Sequence, residues 1–184
     1  MTISAYTDGV EITMRSIDPT LTSTSVSGKI QTRKVSGQRW AATVKFSPLA
    51  RDNLHFRDYF VNGQHQLFLL GLPFVPANYE SGDSTTYRLN GAHAAGDTTL
   101  TVDEFDFTPA RGDWIGINSK IYFVENFSSN TIRIYPALAG DADDNTTILG
   151  FPSMVCRLAN DIQEYSYSPS RYVETEIEVI EHLY

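Results

Sequence analysis

Cysteine is almost missing: Cys156 stands alone, which excludes an intramolecular disulfide and any multi-cysteine metal centre. Its setting, Met154-Val155-Cys156, is apolar and predicts buried packing. Long apolar runs are missing as well. The longest, Leu67 to Leu72, is far too short to cross a bilayer, so no membrane insertion is expected. Positive charge is scarce. Fourteen Lys and Arg face twenty-two Asp and Glu, a formal net charge of −8, and such a balance argues against binding driven by phosphate neutralisation. Residues 1–18 lack the basic start and apolar core of a signal peptide, so folding in a reducing cytosol is expected.

Chemistry-bearing patterns are absent too. The chain has no GxSxG, no GxxxxGK[ST], no GxGxxG and no HExxH. The four histidines, His55, His65, His93 and His182, contain no i, i+4 pair of the kind a helical zinc site needs. Asp141, Asp143 and Asn145 stand at positions one, three and five of a calcium-loop pattern. Position six is Thr146 rather than Gly, and position twelve is Pro152 rather than Glu. Solvated turn residues are the better reading of this run and of Asp103-Glu104-Phe105-Asp106. No catalytic residue, cofactor site or metal site is assigned, and the chain is not read as an enzyme.

What is present is β-structure. At 184 residues and 41% hydrophobic, the chain is long enough to bury a core without staples. Val10–Met14, Lys29–Arg33 and Arg39–Phe46 read as strands, the last because Trp40, Ala42, Val44 and Phe46 alternate. Thr20–Ser27 reads as a loop or a weak edge strand. After Ser47-Pro48 the period lengthens, with Leu49, Phe56 and Phe60 on one helical face. This predicts one amphipathic α-helix over 49–61, ended by Asn62-Gly63.

From about 85 to 158, seven short strands alternate with turn signals such as Asn90-Gly91, Asn118-Ser119 and Ser128-Ser129-Asn130. That spacing predicts a small closed barrel, since closure removes exposed edges. Between 97 and 144, nine acids face three cations, so this region carries most of the acidity. The chain ends with Val173, Thr175, Ile177 and Val179 alternating with Glu174, Glu176 and Glu178. A terminal strand with one wet face needs a sheet, and the first segment offers one. The fold class is therefore mainly β. A β-sandwich-like hub domain, residues 1–84 plus 159–184 and covered by one α-helix, is expected to carry an inserted OB-like β-barrel, residues 85–158.

Aromatic residues make up 12% of the chain. Trp114, Tyr122 and Tyr135 in the barrel are candidates for stacking on a saccharide, with core packing the competing reading. The segment Glu164-Tyr165-Ser166-Tyr167-Ser168 is a candidate for a subunit contact or a sugar contact.

The order of motifs carries a resemblance. Gly37-Gln38-Arg39-Trp40 starts a strand, and Phe46-Ser47-Pro48-Leu49 leads out of it. Arg111-Gly112-Asp113-Trp114-Ile115-Gly116-Ile117, Ile121–Phe127 and Ile132–Leu138 follow in the barrel, and a short strand closes the chain. This order resembles the distal tail protein, or tail hub, of long-tailed bacteriophages, in the subclass with an oligonucleotide/oligosaccharide-binding-type (OB-fold) barrel inserted in the hub domain. The resemblance implies a structural virion protein assembled in the host cytoplasm. It implies a homo-oligomeric ring, hexameric by expectation, at the distal end of the tail. The ring would join the tail tube protein to tip or baseplate proteins. DNA would pass through the opening without specific binding; for such a channel the acidic balance suggests the hypothesis that some Asp and Glu line it and repel phosphate. It transfers no catalytic residues. Two alternatives stand beside it: a carbohydrate-binding accessory module of a tail tip, and an enzyme acting on cell-wall glycan through paired carboxylates.

Overall fold

The computed structural model describes residues 2–4, 10–34, 37–50, 63–74, 76–78, 86–103, 108–161, 164–167 and 172–183. Its strands are β1 (Thr2–Ser4), β2 (Val10–Ile17), β3 (Thr20–Thr24), β4 (Ile30–Lys34), β5 (Arg39–Ala50), β6 (Phe68–Gly71), β7 (Thr86–Leu89) and β8 (Thr99–Asp103). They continue with β9 (Trp114–Ile117), β10 (Lys120–Ser128), β11 (Thr131–Tyr135), β12 (Thr147–Leu149), β13 (Ser153–Leu158), β14 (Glu164–Tyr167) and β15 (Tyr172–Glu181). The protein is mainly β. Among the described residues the only helical element is a single 3-10 turn, Gly63–His65.

Two compact units divide the chain. One takes in residues 7–68 and 156–184, the other 2–6 and 69–155. In the first, the C-terminal strand β15 lies antiparallel to β5, with Ile177 opposite Val44 and Val179 opposite Ala42. On its other side β5 pairs with β2, where Ile12 meets Val44 and Met14 meets Ala42. The two rows Ile12–Val44–Ile177 and Met14–Ala42–Val179 thus cross three strands on one face. Ala42, Val44 and Val179 are fully buried. Each fully buried aliphatic side chain of the size of Val contributes about 1.5–3 kcal/mol. The opposite face is wet: Glu11, Lys45, Glu176 and Glu178 are exposed, and Arg15 reaches across the sheet to Glu178 at 3.1 Å. A buried carboxylate reinforces the closure of the chain ends, since Glu181 accepts the Trp40 backbone N–H at 2.9 Å.

The second unit holds a closed six-stranded barrel in the order β10-β11-β8-β7-β12-β9. Alternation sets its inside and outside. Along β11, Ile132 and Ile134 are buried, whereas Arg133 is exposed. The interior is filled by Tyr87, Leu89, Leu100, Val102, Ile115, Tyr122 and neighbours. The β9–β10 connection is a two-residue turn with Asn118 at φ 49° and Ser119 at φ 64°, the double positive φ that matches the twist of flanking strands.

Several expectations change. Leu49 does not begin a helix, because β5 runs on as a strand through Ala50; residues 51–61 of the expected helix lie outside the described residues. Pro48 falls where the register of β5 against β15 shifts between Val173 and Thr175, a bulge of the kind that accommodates proline.

The barrel closes with six strands rather than seven. β13 pairs instead with β15, Cys156 to Leu158 opposite Glu181 to Val179. Although β6 lies between β1 and β13 in the sheet that holds β15, β5 and β2, residues 69–78 group with the barrel unit. They are tied to it by Leu72 N–H to the Pro152 carbonyl at 3.0 Å and by the Asn78 side-chain amide to the Thr108 carbonyl at 2.7 Å. Thr20–Thr24, read as a loop or weak strand, is a strand paired with β4.

Candidate functional site

The two-residue turn at Asn118-Ser119 decides which aromatic residues meet. It places Ile117 opposite Lys120, and three steps back along each strand Trp114 stands opposite Phe123. On the far side of β10, Phe123 stands opposite Tyr135. Directly opposed residues share a face of the sheet, so Trp114, Phe123 and Tyr135 form one row across β9, β10 and β11. All three are half-buried. Their neighbours along the strands, Ile115, Tyr122 and Ile134, belong to the interior, which puts the row on the outer surface of the barrel.

Phe74 extends the row. Its ring stacks on the Trp114 indole with centroids 5.2 Å apart and 21° between planes. Phe123 meets the same indole edgewise at 5.5 Å and 73°. Both are preferred aromatic geometries. The chain is pinned beside this stack by Asp113, a buried carboxylate. Asp113 accepts the Ala110 N–H at 2.8 Å and the Ala77 N–H at 3.0 Å through its two oxygens.

The three aromatics singled out from sequence therefore separate. Trp114 and Tyr135 share the outer row. Tyr122 points into the barrel, 2% exposed, with its hydroxyl accepting the Ala139 N–H at 3.1 Å. It offers no ring face to a saccharide, and one face of Trp114 is already covered by Phe74. Phe123 and Phe74 were missed by sequence reasoning. Phe123 was within reach of it, because counting back from the Asn118-Ser119 turn gives the pairing directly.

The acidic loops have a structural task that the sequence reading did not assign. Asp141 accepts the Ala95 N–H at 2.8 Å, Asp144 the Gly91 N–H at 2.7 Å, and Asp97 the Ala94 N–H at 3.0 Å. Asp141 and Asp144 stitch residues 90–97 to residues 138–145, while Asp97 closes a turn within the first loop. A bridge between His93 and Ala142 joins the same loops. The His93 Nε2 accepts the Thr101 N–H at 3.2 Å, and its Nδ1 lies 3.6 Å from the Asp97 carboxylate. Of the residues in the calcium-loop pattern, Asp141 commits a carboxylate oxygen to the Ala95 amide. Among the described residues no group of three or more His, Cys, Asp or Glu is placed to hold a metal ion.

Two buried groups complete the electrostatics. Tyr87 lies in the barrel interior, where burial pushes its phenol well above the ordinary tyrosine range and the Asp113 carboxylate adds to the rise. Cys156 is buried in the first unit, and its thiol donates to the Phe68 carbonyl at 3.6 Å, a packed thiol rather than a poised nucleophile. No helix among the described residues is long and apolar enough to cross a membrane. Compared with known protein families and with characterised proteins, the chain matches no family model and no individual sequence.

Proposed function

We propose that this chain is a structural subunit of a bacteriophage tail hub. Six copies close a ring at the distal end of the tail tube, join the tube to tip or baseplate proteins, and leave a channel for DNA. One observation carries the reading: β15, at the end of the sequence, pairs along its length with Arg39–Ala50, while a closed barrel occupies the chain between them. A domain made from both ends of a chain around an inserted barrel is the arrangement that the motif resemblance implies.

Two further features support it. Among the described residues β2 ends the strand order of its sheet, and an edge strand of that kind accepts a strand from a neighbour. The excess of acids suits a channel wall that repels phosphate and lets DNA slide. A saccharide site on Trp114, Tyr122 and Tyr135 is not favoured, because Tyr122 is interior and Phe74 covers Trp114.

The test is direct. Mass measurement and negative-stain images of the purified protein should show closed rings with a central opening, and antibodies to this chain should label the tail end of intact virions. A protein that stays monomeric at every concentration and labels no virion ends the proposal.

A further inference from the structure

The hairpin β3–β4 stands apart from the rest of the chain in packing and in charge. Every residue from Thr20 to Arg33 is exposed, including Leu21 at 64% and Ile30 at 67%. Among the described residues the two strands pair only with each other. A two-stranded sheet of this size is marginal by itself in water, yet its turn is firmly built. The Ser25 N–H donates to the Lys29 carbonyl at 2.9 Å and the Gly28 N–H to the Ser25 carbonyl at 2.9 Å. The Lys29 N–H donates to Ser25 Oγ at 3.1 Å, and Gly28 takes φ +78°, which glycine adopts without penalty. The arm is preformed and its faces are bare.

Charge identifies what it fits. From Pro19 to Arg51 the sequence has six cations and no acid; elsewhere eight cations face all twenty-two acids. The arm itself contributes Lys29, Arg33 and Lys34. The stitched loops 90–97 and 138–145 are its complement, with Asp97, Asp141, Asp143 and Asp144 and no Lys or Arg. Asp141, Asp143 and Asp144 are exposed.

We propose that the β3–β4 hairpin is a docking arm, and that its partner is the acidic loop pair of a second copy of this chain. A contact between two different patches is heterologous, and repeated around an axis it closes a ring. This rests on the ring reading above and names one contact in it. Three cations on an arm this short are few for a nucleic-acid interface, where binding scales with the number of phosphates neutralised. Leu21 and Ile30 lie on opposite faces of the hairpin by its register; a second protein surface can cover both faces, whereas the single apolar face of a membrane-binding element is absent.

Self-association of the full chain, followed by light scattering against concentration at low and high salt, tests this. Wild type should associate more tightly at low salt, since exposed charges are screened at high salt. The double variant K29E/R33E, changed only at exposed positions, should need at least tenfold more protein to associate. D143K should weaken association several-fold, and combining D143K with K29E/R33E should restore part of the loss. Normal association by K29E/R33E overturns the arm contact and leaves the ring reading standing. A combined variant no better than K29E/R33E overturns the loop pair as partner. Wild type that remains monomeric throughout overturns both proposals. Retention of duplex DNA or of anionic vesicles through the arm, in place of self-association, overturns the arm's assignment to a second copy.

Discussion

The Trp114 indole lies flat against the ring of Phe74, centroids 5.2 Å apart, so a segment that precedes the barrel in sequence covers its outer aromatic row. Phe74→Ala removes that cover. The loss should be about 0.5–1.5 kcal/mol for the ring pair, plus part of the burial of a half-exposed phenylalanine. Urea unfolding gives the magnitude. Tryptophan emission measured in a Trp40→Phe background should shift to longer wavelength as the indole face meets water, and an unmoved spectrum would deny the stacking.

Asp113 should be the costlier loss. Its two oxygens satisfy the Ala77 and Ala110 amides in a partly buried setting. Asp113→Ala leaves both donors without a partner, at about 1–3 kcal/mol each when buried. Asp113→Asn keeps one acceptor oxygen and should recover roughly half. A difference of this order between the two variants in denaturant midpoint, at constant m value, checks the assignment.

Tyr87 makes stability depend on alkaline pH. Its folded-state pKa is raised above the unfolded value of 10.0, so above about pH 10 the unfolded chain gives up a proton that the folded chain keeps. The slope of unfolding free energy with pH is then negative. The contribution is whole below pH 10 and drains away as pH rises beyond it. Tyr87→Phe should flatten this alkaline decline relative to wild type when circular dichroism is followed from pH 8 to pH 12; an identical decline in both would remove Tyr87 as its source.

Ile177 tests whether the two cores are separate. It is 3% exposed and opposes Val44, so Ile177→Lys buries a charge with no partner in a row of aliphatics, which is strongly destabilising. Amide exchange on the full chain should lose protection over Arg39–Phe46 and Thr175–Ile180. Ile115–Ile117 and Ile132–Ile134 in the barrel should keep theirs. Simultaneous loss in both places would show a single cooperative unit instead.

How much of this was legible beforehand varies with the kind of signal. Val173, Thr175, Ile177 and Val179 announced a half-buried strand because period-two alternation records which face is dry. The Asn118-Ser119 and Ser128-Ser129-Asn130 turns were readable because short hairpin turns demand positive φ and so restrict residue type. Pro48 misled because a proline ends a helix and a strand alike. It sits at a register shift between β5 and β15, set by a strand at the far end of the sequence, Tyr172–Glu181. The excess seventh barrel strand has the same cause. Met154–Leu158 alternates as any sheet strand does, and nothing local says that its partner is β15. In the candidate site, Trp114 and Tyr135 were chosen as aromatics and Tyr122 with them; only register separates the wet face from the dry one, since a shift of one residue exchanges them.

The contact between the Cys156 thiol and the Phe68 carbonyl has a consequence beyond packing. The polypeptide departs for the barrel at Phe68 and comes back at Cys156, so the outgoing and returning tethers are side by side. The pairing of β5 with β15 is then set by residues outside the segment between those two points, Arg39–Ala50 and Tyr172–Glu181.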